Sequence, residues 1–206
     1  MAQFFSIHPT HPQGRLIKLA VDIIRAEGVI VYPTDSSYAL ACSIDNKSGL
    51  DRIRTLRRLD DHHLMTLVCQ NMTAVNHYAK IDNFVFRIIK AHTPGPYTFI
   101  LNATREVPKR LMHPKRKSIG IRIPHHTVTQ ALLAALGEPL MSTSCILPTQ
   151  SEPMISAEEI RDALEKQVEL VIDGGPGGLE PTSIIDLSGE HPIIVRHGKG
   201  DVGPFT

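Results

Sequence analysis

The chain contains no tryptophan, and aromatic residues make up only 5% of its 206 residues. Proteins that bind single-stranded nucleic acid usually stack the bases on exposed aromatic side chains, so this composition argues against that mode of RNA binding. No Walker A, HExxH or GxSxG pattern is present. A P-loop and the common zinc-protease and serine-hydrolase sites are therefore not predicted, and we expect no Rossmann dinucleotide site.

Long apolar runs are also missing. No stretch approaches eighteen consecutive apolar residues, so no transmembrane helix is predicted. The first fifteen residues lack the basic start and apolar run of a secretory signal. Three widely spaced cysteines, Cys42, Cys69 and Cys145, form no CxxC pair, which favours buried, reduced thiols. We therefore expect a cytoplasmic protein with no membrane partner.

Two pairs of adjacent histidines, His62-His63 and His125-His126, suggest a metal site at first sight. Adjacent side chains point in different directions, however, and no third ligand stands at a typical spacing. The sequence therefore predicts no metal held by the protein itself.

The length suits a single domain over residues 1–206, and the contents of 42% apolar and 21% charged residues are those of an ordinary globular protein. Apolar periodicity and short apolar runs alternate along the chain. They predict helices over 14–27, 47–59, 72–79, 82–91, 127–136 and 156–167, and strands over 28–32, 65–69, 97–101, 118–123, 140–144, 168–172, 183–187 and 193–196. This alternation predicts an α/β fold with a twisted, mixed sheet.

Charge is distributed unevenly. Residues 151–190 contain ten acidic and two basic residues, a net charge of −8, so the rest of the chain carries +9 within a total of +1. Six of the basic residues fall within 105–117, beside the single acidic residue Glu106. The asymmetry is typical of a cationic face for phosphate-bearing partners, although a solvated loop beside a helix is an equal alternative.

The strand predicted at 28–32 ends at Pro33 and is followed by Thr34, Asp35, Ser36 and Ser37. Small ligands usually bind at strand ends in α/β folds, where hydroxyl and amide groups can hold amino-acid or phosphate groups. Taken alone, the same cluster is also typical of a capped surface turn.

This turn is the first of five ordered segments that resemble the YrdC-like family. The segments are VYPTDSSYAL at 31–40, PGPYT at 94–98, KSIGIRIP at 117–124, MSTS at 141–144, and PTSIIDL at 181–187 with IVRHG at 194–198. They are spread from residue 31 to residue 198, so the resemblance extends over nearly the whole chain. The opening QFFSIHP and the closing GDVGPF are most similar to the YciO branch of that family.

The resemblance implies a twisted α/β sheet that encloses a large concave, positively charged cavity. It implies synthesis of threonylcarbamoyl-AMP from L-threonine, bicarbonate and ATP, as a step towards threonylcarbamoyladenosine in tRNA. Mg²⁺ would then arrive with ATP rather than in a protein cage. Binding of tRNA or double-stranded RNA is also implied, and recognition of A-form RNA by backbone and shape does not require aromatic residues.

Site residues follow from the same resemblance. It implies that Thr34, Arg122 and Ser142 bind the amino acid, that Arg57, Ser118, Ser144 and Arg196 bind the nucleotide, and that Arg57 and Arg122 are catalytic. A guanidinium on a strand can bind a carboxylate bidentately, which suits Arg122. The basic residues assigned to RNA are Lys109, Arg110, Lys115, Arg116 and Lys117.

Two positions depart from the family pattern. In the KxR pair of the synthases, Arg57 takes the place of Lys and Leu59 takes the place of Arg. After Ser144, Ile146 stands where the synthases have Asn, and its side chain can neither donate nor accept a hydrogen bond. We therefore expect a weak synthase or an enzyme with a different substrate. The alternatives are an RNA-binding module with a relict nucleotide cavity, and a nucleotide sensor or hydrolase on the same fold.

Overall fold

The computed structural model describes residues 1–60, 63, 65–113, 115–148 and 150–206. Within these residues the chain forms eleven strands and six α-helices. The strands are β1 (Gln3–Ser6), β2 (Ile30–Tyr32), β3 (Ala39–Ser43), β4 (Thr66–Val68), β5 (Ala79–Lys80), β6 (Tyr97–Ala103), β7 (Ser118–Arg122), β8 (Leu140–Ser144), β9 (Leu170–Asp173), β10 (Ser183–Asp186) and β11 (Ile193–Arg196). The helices are α1 (Gly14–Arg25), α2 (Lys47–Arg57), α3 (Met72–Tyr78), α4 (Asn83–His92), α5 (Thr127–Leu136) and α6 (Ala157–Leu164).

Local sequence explains where the helices begin and end. The Asn46 side chain caps α2 by accepting from the backbone N–H of Gly49 at 2.7 Å. Helix α2 ends where Arg58 takes the left-handed conformation, with φ of 49°. Ser156 caps α6 by accepting from the backbone N–H of Glu159 at 3.3 Å.

All strands belong to one mixed sheet. Ten of them follow the order β1-β9-β2-β3-β8-β4-β7-β6-β10-β11, and β5 pairs with β6 off this path. The sheet combines parallel pairs, such as β4 with β7 and β6 with β10, with antiparallel pairs, such as β3 with β8 and β6 with β7. The predicted α/β fold with a twisted mixed sheet is therefore confirmed.

The two faces of the sheet carry different layers. Helices α1 and α5 pack on one face, against apolar residues of β9, β2, β3 and β8. The remaining helices pack in a larger apolar cluster that includes the opposite face. The face that carries α1 and α5 extends beyond these two helices. There the residues that pair across neighbouring strands, Ser142, Thr66 and Gly120, are polar or small. This row is where a cavity opens.

Several predicted boundaries were wrong. Strands β1, β3 and β5 were not predicted, because β1 and β5 are only four and two residues long and β3 is buried on both faces and lacks polar alternation. The strand predicted from residue 28 begins at Ile30, and the helix predicted to residue 167 ends at Leu164. Helix α1 also ends earlier than predicted, at Arg25, and Glu27 takes the left-handed conformation after it, with φ of 63°. Gly28 is needed for space, because a Cβ there would lie 2.7 Å from the Ile23 carbonyl oxygen.

The segment GKGDVG at 198–203 has the GxGxxG spacing of dinucleotide-binding loops. It follows the edge strand β11 and leads into a short 3-10 helix, Gly203–Phe205, instead of opening a βαβ unit. The structural context of a Rossmann site is therefore missing. In the described part of the chain, every helix is too short or too polar to cross a lipid bilayer.

Candidate functional site

A cavity of about 160 Å³ lies on the face of the sheet beside α1 and α5. We call it the inner cavity. Its described lining consists of Ser37, Ala39, Arg57, His63, Thr66, Val68, Thr98, Arg122, Ser142, Thr143, Ser144, Ile146, Thr182, Ile184 and Arg196. The lining is rich in hydroxyl groups and contains three arginines.

Strand register brings this lining together. Residues that pair across neighbouring strands project from the same face of a sheet. Ser142 of β8 pairs with Thr66 of β4, and Thr66 pairs with Gly120 of β7. Two residues further along β4, Val68 pairs with Arg122. Residues that lie far apart in the sequence therefore share one surface.

Arg122 is the last residue of β7, and its side chain is buried. Its Nη2 donates to the carboxylate of Asp35, to Ser36 Oγ at 3.0 Å and to Thr34 Oγ1 at 3.3 Å. The second carboxylate oxygen of Asp35 accepts from the backbone N–H of His125 at 2.9 Å. The turn after β2 therefore fixes the orientation of the Arg122 guanidinium.

Thr34 and Ser142 are both buried, and their hydroxyl groups already have protein partners. Thr34 Oγ1 donates to the Ser37 carbonyl oxygen at 2.6 Å, and Ser142 Oγ contacts the Leu40 carbonyl oxygen and Tyr32 Oη, each at 2.9 Å. Ser142 lines the inner cavity, and Thr34 contacts Arg122, which also lines it. Binding of the amino acid by Thr34 stays a prediction.

Arg57 enters the cavity from the C-terminal end of α2. Its Nη1 donates to the backbone carbonyl oxygen of Ser144, at the end of β8. Burial lowers the pKa of Arg57, because the charged guanidinium is removed from water. The contact holds α2 against β8 and places the guanidinium beside Ser144. Both Arg57 and Ser144 are predicted to bind the nucleotide.

Arg196 reaches the cavity from the edge strand β11. Its Nε donates to the Thr182 carbonyl oxygen at 2.9 Å, and its Nη2 donates to Thr182 Oγ1 at 3.0 Å. Thr182 Oγ1 also lies 2.9 Å from Thr98 Oγ1. Burial lowers the pKa of Arg196, and the nearby charge of Arg122 lowers it further.

The electrostatics of the inner cavity favour an anion. Three guanidinium groups line it, and its described lining contains no carboxylate. Asp35 balances one of these charges from behind Arg122. The Nε atoms of Arg57 and Arg122 are buried and have no hydrogen-bond partner among the described residues. Buried donors of this kind are costly unless a ligand or water accepts from them.

Ser118, the remaining residue predicted to bind nucleotide, is outside the described lining of this cavity. It is only 1% exposed, and its Oγ has no hydrogen-bond partner among the described residues. Ser118 lies on β7 four residues before Arg122, so both side chains project from the same face of the strand.

The basic residues predicted to bind RNA are all exposed; they are Lys109, Arg110, Lys115, Arg116 and Lys117. Two of them also have partners within the fold. Arg110 donates to the Ile44 carbonyl oxygen at 2.9 Å, and Arg116 lies 3.5 Å from the carboxylate of Asp186. RNA binding by this segment stays a prediction.

The two departures from the family pattern differ in position. Ile146 lines the inner cavity and makes part of its wall apolar. Leu59 instead packs against the hydrophobic core. The neighbouring residues 61, 62 and 64 lie outside the described part of the chain; they include His62 of the His62-His63 pair. Among the described residues, no group of three or more metal-ligating side chains comes together.

Cys145 adjoins the cavity but is fully buried. Burial raises the pKa of its thiol to about 12, although Arg57 acts in the opposite direction. A protonated, inaccessible thiol is a poor nucleophile, so a covalent cysteine mechanism is not supported.

Ser37, in the hydroxyl-rich turn identified from the sequence, lines the cavity. Sequence reasoning did not single out Thr66, Thr98 or Thr182 as site residues, although each lines it. Thr98 and Thr182 stand inside segments that carry the family resemblance, which was the available signal. Thr66 had no such signal, because it reaches the site only through the pairing of β4 with β7 and β8.

A glycine-rich loop packs on the turn that holds Arg122. A Cβ on Gly178 would lie 2.1 Å from the Ser36 carbonyl oxygen, and one on Gly174 would lie 2.7 Å from the Pro33 side chain. Residues 174 and 178 therefore have to be glycine for the loop to approach this turn so closely.

Comparisons with known proteins agree with this architecture. Over its full length the chain is 54% identical to the full-length YciO protein of Escherichia coli strain K12. The crystal structure of E. coli YciO superimposes with a TM-score of 0.96 at 53% identity and covers all of both chains. The structure of Pyrococcus abyssi Sua5 complexed with L-threonine matches 95% of this chain and 57% of its own, with a TM-score of 0.86, and its 21% identity shows the shared fold.

A more distant relative carries a named activity. The threonylcarbamoyl-AMP synthase of Mus musculus is 32% identical over 162 residues, which are 79% of this chain and 56% of the mouse protein. The family model for Sua5, YciO and YrdC, described as "Telomere recombination", matches residues 22–198. This chain therefore belongs to the Sua5/YciO/YrdC family.

Proposed function

We propose that this protein is a threonylcarbamoyl-AMP synthase-like enzyme that condenses a carbamoylated amino acid, with L-threonine as the first candidate, with ATP. The observation that carries the proposal is the convergence of Arg57, Arg122 and Arg196 on one cavity whose described lining has no carboxylate. The distant mouse synthase and the threonine complex of the Pyrococcus protein support the choice of substrate.

The charge of the cavity matches the proposed intermediate. The carbamate of an amino acid carries two negative charges, one on its carboxylate and one on its carbamate group. Three guanidinium groups, one of them balanced by Asp35, leave the cavity with about two net positive charges, which attract both the carbamate and the phosphates of ATP. Buried, preoriented cations of this kind stabilise charge that develops in a transition state better than water does.

The reaction proceeds in two balanced steps. The amino group of the amino acid attacks the carbon of bicarbonate, and loss of water leaves the carbamate. A carbamate oxygen then attacks the α-phosphorus of ATP, a new P–O bond forms, and the bond to the leaving pyrophosphate breaks. Arg122 would hold the carboxylate of the amino acid, while Arg57 and Arg196 would contact the phosphates and stabilise the charge on pyrophosphate as it leaves.

Mg²⁺ fits this site only as the partner of ATP. Mg²⁺ prefers oxygen ligands and is usually held through one or two carboxylates and substrate phosphates. The described lining of the inner cavity offers hydroxyl groups and guanidinium groups but no carboxylate. Asp35 is occupied by Arg122 and by the His125 N–H. The phosphates would therefore supply the ligands of the ion, and the ion would neutralise part of their charge.

The apolar wall at Ile146 makes us expect slow turnover. A donor lost from a site that stabilises a transition state commonly lowers the rate by a factor of about 100 or more. Efficient synthases of the family pattern have an asparagine there, whereas Ile146 offers no hydrogen bond.

The test is incubation of the purified protein with ATP, Mg²⁺, radiolabelled bicarbonate and each amino acid in turn. We expect pyrophosphate release and a labelled adenylate that depend on L-threonine. An Arg122→Lys variant should lose most of this activity, because a single ammonium cannot replace the fork of a guanidinium. Absence of product with every amino acid, while a full synthase runs in parallel, contradicts the proposal.

The same assay separates the alternatives. Release of phosphate or AMP without any amino acid identifies a hydrolase. An RNA-binding module would instead show a salt-dependent mobility shift with tRNA or double-stranded RNA. Replacement of Lys115, Arg116 and Lys117 by Glu should abolish that shift if the exposed basic segment is the interface.

A further inference from the structure

Lys199 lies in the loop after β11 and makes a long-range contact. Its Nζ donates to the backbone carbonyl oxygen of Asp35 at 2.6 Å, although the two residues are 164 positions apart in the sequence. Lys199 is exposed and forms no salt bridge with any residue that the structure describes. The family model ends at residue 198, so this lysine lies just outside the part of the chain that the model matches. Membership of the family therefore assigns no role to Lys199.

The backbone of this loop is fixed on the start of β10. The Lys199 N–H donates to the Pro181 carbonyl oxygen at 2.9 Å, and the Gly198 N–H donates to Ser183 Oγ at 3.0 Å. A Cβ on Gly198 would lie 2.6 Å from the Thr182 carbonyl oxygen, so only glycine lets the loop approach β10 so closely. Thr182 itself lines the inner cavity. The base of the Lys199 side chain is therefore held beside one wall of that cavity.

The tip of the Lys199 side chain lies at another wall of the cavity. Its acceptor belongs to the turn after β2, in which Ser37 lines the inner cavity and Asp35 binds Arg122. The ammonium is thus placed at the rim, beside the Asp35–Arg122 ion pair. An ammonium has three N–H donors, and the Asp35 carbonyl oxygen is its one acceptor among the described residues. The lysine can therefore donate to a ligand as well.

The charges around this ion pair give a further cation a use. Arg122 is expected to hold the carboxylate of the amino acid, but Asp35 already balances its charge. A carboxylate that binds to Arg122 also approaches the carboxylate of Asp35, and like charges repel. Arg57 and Arg196, the other cations of the described lining, are assigned to the phosphates of ATP. The ammonium of Lys199 supplies an uncompensated positive charge where the amino acid would bind.

We propose that Lys199 binds the carboxylate of the amino acid together with Arg122 and so selects ligands in which that carboxylate is free. This role rests on the proposed function, because it requires an amino acid in the inner cavity. Hydrogen bonds to an ionised acceptor are roughly twice as strong as those to a neutral one. A ligand carboxylate therefore competes well with the Asp35 carbonyl oxygen for the ammonium.

Calorimetric titration with two ligands tests this role. L-threonine has a carboxylate, whereas L-threoninamide has the same side chain and amino group but no negative charge. The Lys199→Gln variant keeps an N–H donor for the Asp35 carbonyl oxygen and loses the positive charge. We expect this variant to bind L-threonine about tenfold more weakly than the wild type does, because a hydrogen bond between charged groups is lost. Its affinity for L-threoninamide should be unchanged.

Two further variants and a kinetic measurement complete the design. Lys199→Arg keeps the positive charge and should retain most of the affinity for L-threonine. Lys90→Gln removes an exposed lysine of α4, outside the described lining of the inner cavity, and should change neither affinity. In the adenylate assay, Lys199→Gln should raise KM for L-threonine about tenfold and leave KM for ATP unchanged. Circular dichroism and urea unfolding of each variant establish that the fold is kept.

The outcomes separate the role of Lys199 from the proposed function. If Lys199→Gln binds L-threonine as tightly as the wild type and adenylate is still formed, the role of Lys199 is overturned and the proposed function stands. Equal losses of L-threonine and L-threoninamide also overturn it, because Lys199 would then only hold the turn after β2. If the wild type neither binds an amino acid nor forms an adenylate, the proposed function fails and the role of Lys199 fails with it.

Discussion

The guanidinium of Arg122 donates from Nη2 to the carboxylate of Asp35, and the two side chains are each only 10% exposed. Asp35 accepts a further hydrogen bond, from the backbone N–H of His125. Both oxygens of the carboxylate therefore have protein partners, and its role is to orient Arg122 rather than to bind a ligand. Removal of one partner leaves the other charge buried without compensation.

Replacement of Asp35 by Ala should therefore destabilise the protein by about 3–5 kcal/mol, the cost of breaking a buried ion pair. Urea unfolding measures this loss. The matched control is Asp162→Ala, which breaks the exposed pair that Arg161 makes with Asp162 at 2.9 Å. An exposed pair contributes about 1 kcal/mol or less. Similar losses in the two variants would contradict the buried-pair interpretation.

Much of the fold followed from sequence because its helices carry clear apolar stripes and caps. Helices α2 to α5 lie close to their predicted ranges, and Ser156, the first residue of the last predicted helix, caps α6. Strand β3 escaped prediction for a physical reason. Ala39 to Cys42 are buried on both faces, so no polar alternation marks them, and alanine has a weak preference for strands.

The site was less accessible to sequence reasoning. Arg57, Arg122 and Arg196 were identified through motif resemblance, and the structure places all three around one cavity. Thr66 could not be identified in that way. Its contribution arises from the pairing of β4 with β7 and β8, and no local pattern encodes which strands pair across such separations.

His126 should make stability depend on pH. It is partly buried beside Asp35, Arg122 and His125, and its Nδ1 has no hydrogen-bond partner among the described residues. Burial lowers its pKa, and the charges of Arg122 and His125 lower it further, while Asp35 acts in the opposite direction. The unfolded chain therefore binds a proton more readily than the folded chain below about pH 6.5. Stability is complete above that pH and falls as the pH drops.

Replacement of His126 by Asn should remove this dependence. Residue 126 is the N-cap of α5 and makes no capping hydrogen bond, whereas Asn is among the preferred N-cap residues. We expect a gain of about 1 kcal/mol at pH 8, where the histidine is neutral. Urea unfolding at pH 5.5 and pH 8 measures both effects. A slope as steep in the variant as in the wild type would assign the pH dependence to other groups.

The three cysteines should be unreactive in the folded protein. Cys42, Cys69 and Cys145 are buried, and burial raises the pKa of each thiol to about 12. Iodoacetamide at pH 8 should therefore modify none of them until urea unfolds the chain, as mass spectrometry can show. A Cys145→Ala variant should retain adenylate formation. Rapid alkylation of native Cys145 with loss of activity would contradict this prediction and support Cys145 as a nucleophile.

The two departures from the synthase pattern lie in different environments. Ile146 lines the inner cavity, whereas Leu59 is half-buried and packs against the hydrophobic core. Ile146→Asn places a donor and an acceptor beside Ser144 and should raise the rate of adenylate formation about tenfold or more. Leu59→Arg inserts a cation into apolar surroundings and should only destabilise the protein, by about 1–3 kcal/mol.

Threonine-dependent pyrophosphate release and urea unfolding, measured on both variants, test this difference. The wild type and the Ile146→Leu variant are the controls, because leucine keeps the apolar wall and should leave the rate unchanged. A rate gain in Leu59→Arg would mean that residue 59 reaches the phosphates after all. A rate gain in Ile146→Asn alone would show that the hydrogen bond missing from the cavity wall, and not the missing second cation of the KxR pair, limits catalysis on this fold.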